Sequence, residues 1–186
     1  MKEENVSALQ ALEKLKAGNK IYINAKTGSG DVSSERRLDT SVNGQKPYAI
    51  VISCSDSRVI PEYIFSTGIG ELFVIRVAGN VIDNYQLGSI EYAAEHLGCK
   101  LAVVLGHTQC GAVGSAMKKN SGYVGFITDE IMRAIGEERD SVKASVLNVK
   151  HSVSKIKKQL NHIEGLEVVG ALYRTDSGIV DFDLDI

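Results

Sequence analysis

Two short motifs contain the side chains best suited to chemistry. The first reads Cys54-Ser55-Asp56-Ser57-Arg58, and the second reads His107-Thr108-Gln109-Cys110-Gly111. Two cysteines and one histidine are the ligand set of a catalytic zinc site, in which three protein groups leave the fourth position free for water. Asp56 and Arg58 follow Cys54 closely enough to orient that water. We therefore expect the function of the chain to reside in these two motifs.

Asp56 has two alternative roles at such a site. Its carboxylate can take the fourth zinc position, or it can accept the proton of a zinc-bound hydroxide and aim the oxygen at an electrophile. A bidentate pair with Arg58 would hold Asp56 away from the metal. Zinc would keep the thiols deprotonated and lower the pKa of bound water from about 15.7 toward about 7.

Other interpretations of the same residues fit less well. Taken singly, Cys54 could be a core residue, and Asp56 and Arg58 could form a surface ion pair. The glycine-rich stretch around Cys110 lacks the lysine of a phosphate-binding loop. A Cys–His nucleophile pair leaves the second cysteine unexplained. A metal site uses both cysteines and the histidine together.

The pattern of apolar residues predicts the elements that position these motifs. Continuous apolar runs at 48–53, 72–77 and 101–105 are typical of buried strands. Residues 166–173 and 179–184, with a turn at 175–178 between them, predict a hairpin. Apolar residues at helical spacing predict helices at 7–19, 87–97, 110–119, 128–138 and 141–162. The polar stretch 24–46 is interpreted as a loop, with a short helical turn near 34–38.

This order of elements predicts a single α/β domain over residues 1–186. Its mostly parallel central sheet carries an antiparallel edge strand and is flanked by helices. Residues 1–46 form an N-terminal helical arm and connector, and residues 47–186 form the α/β core. Cys54 would end the first strand and His107 would lie just past the third, so both would meet at the carboxyl edge of the sheet.

Composition limits the classes of function. The chain has 186 residues and a formal charge of −2, which gives no electrostatic case for a nucleic-acid partner. No apolar stretch is long enough to span a bilayer, and the N-terminus lacks a signal-peptide hydrophobic region. We therefore expect no membrane partner and a cytoplasmic location. Three cysteines argue against a disulfide framework.

The two motifs, in this order, resemble those of the β-class carbonic anhydrases. The resemblance extends along most of the chain, through the first helix, the Gln45-Lys46-Pro47 segment and the stretch from Gly70 to Asn80. It implies reversible hydration of CO2 to bicarbonate and a proton by a zinc hydroxide nucleophile, with one Zn2+ per chain. It also implies a homodimer or a tetramer.

The resemblance assigns roles to residues by motif position. Zinc would be held by Cys54, His107 and Cys110, and Asp56 with Arg58 would form the orienting dyad. The implied substrate-binding residues are Gln45, Phe73, Ala78 and Gly111, with Gln45 often acting across a subunit interface. Two alternatives stay open, namely a zinc hydrolase of CS2 or COS on the same fold and a non-catalytic zinc-binding protein.

Overall fold

A five-stranded sheet forms the centre of the protein. The computed structural model describes residues 6–25, 30–118 and 122–184. The strands are β1 (Ala49–Ser53), β2 (Leu72–Arg76), β3 (Leu101–His107), β4 (Glu167–Tyr173) and β5 (Val180–Asp181). Their order in the sheet is β2-β1-β3-β4-β5. The first four strands are parallel, and β5 pairs antiparallel with β4. The predicted fold class is confirmed.

The two central strands are buried on both faces, as their uninterrupted apolar sequences predict. Every residue of β1 and of β3 is buried. Ser53 pairs with Leu105, so Cys54 emerges beside the last residues of β3. The chain moves outward from β1 to β2 and then returns to the other side of β1 to form β3. The carboxyl ends of β1 and β3 therefore flank the point where the strand order switches, which is where open α/β sheets form their sites.

Helices cover both faces of the sheet and connect its strands. They are α1 (Ala8–Asn24), α2 (Ser34–Asn43), α3 (Pro61–Ile64), α4 (Asn84–Glu95), α5 (Gly111–Met117), α6 (Gly125–Ile135) and α7 (Ser141–Gln159). A 3-10 turn occupies Ala78–Asn80. Helix α1 packs closely on the end of α3, since a Cβ on Gly18 would lie 1.9 Å from the Phe65 carbonyl oxygen. None of the described helices has the length and hydropathy needed to cross a membrane.

The interpretation of 24–46 as a loop is wrong for its second half. Residues 34–43 form α2, whose N-cap Ser33 accepts a hydrogen bond from the backbone N–H of Arg36 at 3.1 Å. No residue of α2 is buried, and both Leu38 and Val42 are exposed. The residues of α2 that contact the rest of the chain, Arg36 and Thr40, are polar, so the apolar pattern that reveals the other helices is missing. Residues 26–29 lie outside the described residues.

The other element boundaries differ by a few residues from the predicted ones. Helix α1 continues to Asn24, and α6 begins and ends about three residues earlier than predicted. Strand β3 includes Gly106 and His107, and β5 is only two residues long. Residue 119, at the end of the helix predicted over 110–119, lies outside the described residues. The turn before β5 is the predicted hairpin turn.

Helix α1 is fastened to the core by a buried asparagine. The Asn19 amide donates to the carbonyl oxygens of Ile64 at 3.2 Å and Gly178 at 2.9 Å. Its Oδ1 atom accepts a hydrogen bond from the backbone N–H of Val180 at 2.9 Å. One side chain thus links α1 to the end of α3 and to the β4–β5 hairpin.

Candidate metal centre

The three predicted ligands converge at the carboxyl edge of the sheet. Cys54 follows β1, His107 ends β3, and Cys110 precedes α5. All three side chains are buried, and one ligand atom from each lies within 4.8 Å of the others. Two sulfurs and one imidazole nitrogen at this spacing match the donor set of a zinc site.

His107 is prepared to donate a nitrogen lone pair to this centre. Its Nδ1 atom lies 2.9 Å from the Thr108 carbonyl oxygen, which fixes Nδ1 as the protonated nitrogen. Its Nε2 atom is buried and has no hydrogen-bond partner among the described residues. A buried polar atom without a partner costs free energy unless a ligand satisfies it, and Nε2 is free in direction and chemistry to meet a metal ion.

The contact between the two thiols shifts their pKa values in opposite directions. A hydrogen bond with Cys110 lowers the pKa of Cys54 well below its usual range, and the Gly79 N–H adds to the effect by donating to Cys54 Sγ at 3.2 Å. The hydrogen bond with Cys54 and burial both raise the pKa of Cys110. A bound divalent cation would replace the shared proton and leave both sulfurs as thiolates.

The glycine that donates to Cys54 is required by its surroundings. Gly79 has φ +69°, in the left-handed region, and its added Cβ would lie 2.8 Å from Ile131 Cδ1 and 3.0 Å from Ala112 Cβ. Asn148, on α7, donates to the Gly79 carbonyl oxygen at 2.8 Å. The 3-10 turn is therefore held between α7 and the first motif, with its N–H aimed at sulfur.

Asp56 and Arg58 form a bidentate ion pair. Arg58 Nε donates to Asp56 Oδ1 at 3.0 Å, and Nη2 donates to Oδ2 at 2.8 Å. The backbone N–H of Arg58 also donates to Oδ1 at 2.9 Å. The hydrogen bonds from Arg58 hold the pKa of Asp56 well below its usual range, so the carboxylate is ionised. Both carboxylate oxygens are engaged by Arg58.

Comparison with known proteins agrees with this geometry. The sequence model of the carbonic anhydrase family matches residues 49–180. Carbonic anhydrase 2 of Mycobacterium tuberculosis is 42% identical over 132 residues, which cover 69% of this chain and 63% of that protein. The chain belongs to the β-class carbonic anhydrase family. It spans less than two thirds of the length of this mycobacterial relative.

Solved β-carbonic anhydrases share the fold. The β-carbonic anhydrase CafA of Aspergillus fumigatus superposes with a TM-score of 0.72 at 28% identity, covering 82% of this chain and 83% of that one. The Coccomyxa β-carbonic anhydrase, solved in complex with acetazolamide, gives a TM-score of 0.70 at 26% identity. That match covers 81% of this chain and 78% of the Coccomyxa chain.

Two of the four implied substrate residues lie next to the candidate metal ligands in the chain. Ala78 begins the 3-10 turn next to Gly79. Gly111 begins α5 directly after Cys110, and a Cβ built on it would meet no atom within 4 Å. Open space therefore adjoins the backbone on this side of the ligands.

The other two implied substrate residues, Gln45 and Phe73, lie away from the candidate metal ligands. Gln45 precedes β1, at the opposite end of that strand from Cys54; five strand residues separate the two ends by about 16 Å. Phe73 pairs with Ile50 near the start of β2, and its ring packs against Tyr92 with the ring centroids 6.2 Å apart. Neither contacts the metal ligands of its own chain.

Sequence reasoning missed two side chains that shape the ligand loops. Arg76, the last residue of β2, donates to the carbonyl oxygens of Cys54 at 3.2 Å and Asp56 at 2.8 Å. Gln109 accepts hydrogen bonds from Arg58 across the site. Gln109 could have been identified from its position between His107 and Cys110. No local sequence pattern indicated the role of Arg76.

Proposed function

We propose that this chain catalyses the reversible hydration of CO2 to bicarbonate and a proton, with one zinc ion held by Cys54, His107 and Cys110. The observation that carries the proposal is the combination of three converging donors with a carboxylate that Arg58 holds by both oxygens. Three protein ligands leave a coordination position for water, which is the arrangement of catalytic rather than structural zinc sites. When bound, zinc supplies a Lewis acid that makes water a nucleophile at neutral pH.

The residues of the chain supply orientation and charge. Asp56 is ionised and accepts a hydrogen bond from the attacking oxygen, which aims the oxygen lone pair at the carbon of CO2. Arg58 fixes the plane of that carboxylate through two parallel hydrogen bonds. The open space beside Gly111 accommodates the small linear substrate next to the ligands. The proton leaves through solvent or buffer.

We further propose that Gln45 and Phe73 act at the site of a second subunit. Both lie away from the metal ligands of their own chain, so a contact with substrate requires another copy. Strand β2 is an edge strand of the sheet, and three of its five residues are partly buried and one is exposed. A dimer that covers this edge would bring Gln45 and Phe73 of one subunit toward the partner's metal centre.

Stopped-flow CO2 hydration beside metal analysis tests the proposal. We expect about one zinc per chain and loss of both zinc and activity in Cys54→Ala. Hydration activity that survives complete removal of zinc would refute the mechanism. Stoichiometric zinc without hydration at any pH between about 6.5 and 9 would favour a non-catalytic zinc-binding protein.

Inhibition supplies a second test. The Coccomyxa enzyme was solved with acetazolamide bound. We propose that this chain binds the same compound at its metal centre. Acetazolamide should inhibit CO2 hydration by the zinc-loaded chain and should show no saturable binding to the zinc-free chain by calorimetry. Equal binding to both forms would place the compound away from the metal.

A further inference from the structure

We propose that Gln109 is a positioning residue that locks the Arg58 guanidinium against Asp56 and thereby keeps the Asp56 carboxylate off the metal. The inference rests on the metal site of the proposed function and deepens it. Gln109 would thereby determine whether the fourth coordination position of the metal stays open to water or is taken by Asp56.

The contacts place Gln109 on the far side of Arg58 from Asp56. Arg58 Nη1 donates to Gln109 Oε1 at 3.2 Å, and Nη2 donates to the Gln109 carbonyl oxygen at 3.2 Å. The guanidinium therefore bridges the loop after β1 and the loop after β3, which are 51 residues apart in sequence. With Asp56 on one edge and Gln109 on the other, the planar group has one orientation that satisfies all four contacts.

The backbone of Gln109 indicates that its position is imposed rather than relaxed. Gln109 has φ +59°, in the left-handed region that a residue with a side chain seldom adopts. A strained residue between two metal ligands persists only when its surroundings hold it there. The two hydrogen bonds from Arg58, one to the Gln109 side chain and one to its carbonyl oxygen, help to hold Gln109 in this conformation.

The chemistry of the side chain suits the role. A glutamine amide accepts a hydrogen bond while carrying no charge, so the full positive charge of Arg58 remains available to Asp56. A carboxylate at this position would compete with Asp56 for the guanidinium, and a cation would repel it. Asp56 follows ligand Cys54 by two residues, so once Arg58 releases it, its carboxylate can reach the metal.

Weakening the contact between Gln109 and Arg58 should therefore raise metal affinity and lower hydration activity. If one equilibrium moves Asp56 between Arg58 and the metal, weakening Arg58 adds a fourth protein ligand and removes the water position. Metal affinity then rises by the same factor by which activity falls, because both follow the population of the closed state. General damage to the loop would lower both quantities.

Gln109→Met tests this, because methionine keeps the length of the side chain and removes the amide oxygen. The Arg58 side chain is 48% exposed, so water partly replaces the lost contact. We expect kcat for CO2 hydration to fall roughly three- to tenfold, the range expected for one hydrogen bond to an exposed charged group. The dissociation constants for Zn2+ and Co2+, measured by chelator competition at fixed pH, should fall by a similar factor.

Three further variants distinguish the proposed role of Gln109 from general damage to the loop. Gln109→Gly relieves the backbone strain while removing the same acceptor, so it should repeat both effects even if Gln109→Met folds poorly. In an Asp56→Asn background, Gln109→Met should leave metal affinity unchanged, because no carboxylate remains to bind the metal. Gln159→Met, an exposed substitution at the end of α7, is the matched control and should change neither quantity.

The proposal is overturned if metal affinity falls or stays constant in both Gln109 variants, or if the affinity gain persists in the Asp56→Asn background. A wild-type chain that binds zinc but hydrates no CO2 would refute the proposed function, while the affinity comparison would still decide the role of Gln109. A wild-type chain that binds neither metal would overturn both.

Discussion

Replacing Asn148 by alanine should lower both the stability of the fold and the affinity of the candidate site for metal. Asn148 is 1% exposed, and its amide donates to the Gly79 carbonyl oxygen at 2.8 Å. Leaving that buried carbonyl without a partner costs about 1–3 kcal/mol, and the truncated side chain adds a small cavity. The Oδ1 atom of Asn148 has no hydrogen-bond partner among the described residues, so its removal returns part of this cost. We expect a loss of about 2 kcal/mol in the free energy of unfolding of the metal-free chain.

The same substitution should weaken metal binding, because Gly79 also donates its N–H to Cys54 Sγ. Loss of an outer hydrogen bond to a ligand typically lowers metal affinity about tenfold or more. Urea unfolding of the metal-free chain measures the first effect, and chelator competition for Zn2+ measures the second.

A neighbouring residue provides the matched control for Asn148. Ser152, one turn further along α7, donates to the Asn80 carbonyl oxygen at 3.2 Å and is 2% exposed. Ser152→Ala should cost about 1–2 kcal/mol of stability but leave zinc affinity unchanged, since Asn80 does not contact a ligand. If Asn148→Ala lost stability and still bound zinc like the wild type, the N–H that faces Cys54 would not depend on α7, and the reasoning would fail.

Three more perturbations test other parts of the structure. Gly18→Ala should lower the free energy of unfolding by more than about 2 kcal/mol despite a better helix propensity, because the Cβ would lie 1.9 Å from a carbonyl oxygen; an unchanged urea midpoint would contradict this packing of α1. Asp56→Asn should retain zinc by metal analysis while kcat falls at least about tenfold, and an unchanged kcat would exclude an orienting carboxylate. Although burial opposes the shift, hydrogen bonds from Lys155, His151 and Arg133 lower the pKa of Glu130 to about 2. Its stabilising effect is therefore present above its ordinary pKa near 4.5 and is lost as the pH falls toward 2, so Glu130→Gln should narrow the difference in unfolding free energy of the metal-free chain between pH 6 and pH 3.

Much of the fold could be predicted from the sequence because its signals are local. The runs that became β1 and β3 are almost entirely apolar, as strands buried between two layers of helices must be. The run that became the edge strand β2 is apolar up to Arg76, its exposed last residue. The amphipathic stripe that became α7 was equally clear. Helix α2 was predicted only as a short turn near 34–38, because none of its residues is buried and apolar periodicity is therefore missing. The strand end at His107 was missed because Gly106 interrupts the apolar run.

The candidate ligands could be predicted from the sequence, but the hydrogen bonds that hold the ligand loops could not. Cys54, His107 and Cys110 could be found because metal ligands are recognisable by residue type and by their place at strand ends. The contact of Gln109 with Arg58, and that of Arg76 with the loop at Cys54, depend on how two loops face each other, which no spacing along the chain reveals.

The sequence by itself determined the donor atoms, the order of buried strands and hence the edge of the sheet where the donors meet. The tertiary structure alone decided how that edge is organised. It placed the Gly79 N–H against Cys54 and located Gln45 at the far end of β1. Within the described part of the chain, it left His107 Nε2 without a hydrogen-bond partner. The physical reason is that residue type and periodicity specify which face or edge a side chain occupies. Hydrogen bonds need suitable angles and need distances correct to within about a few tenths of an ångström. Only the packing of the strands and helices against one another sets these angles and distances.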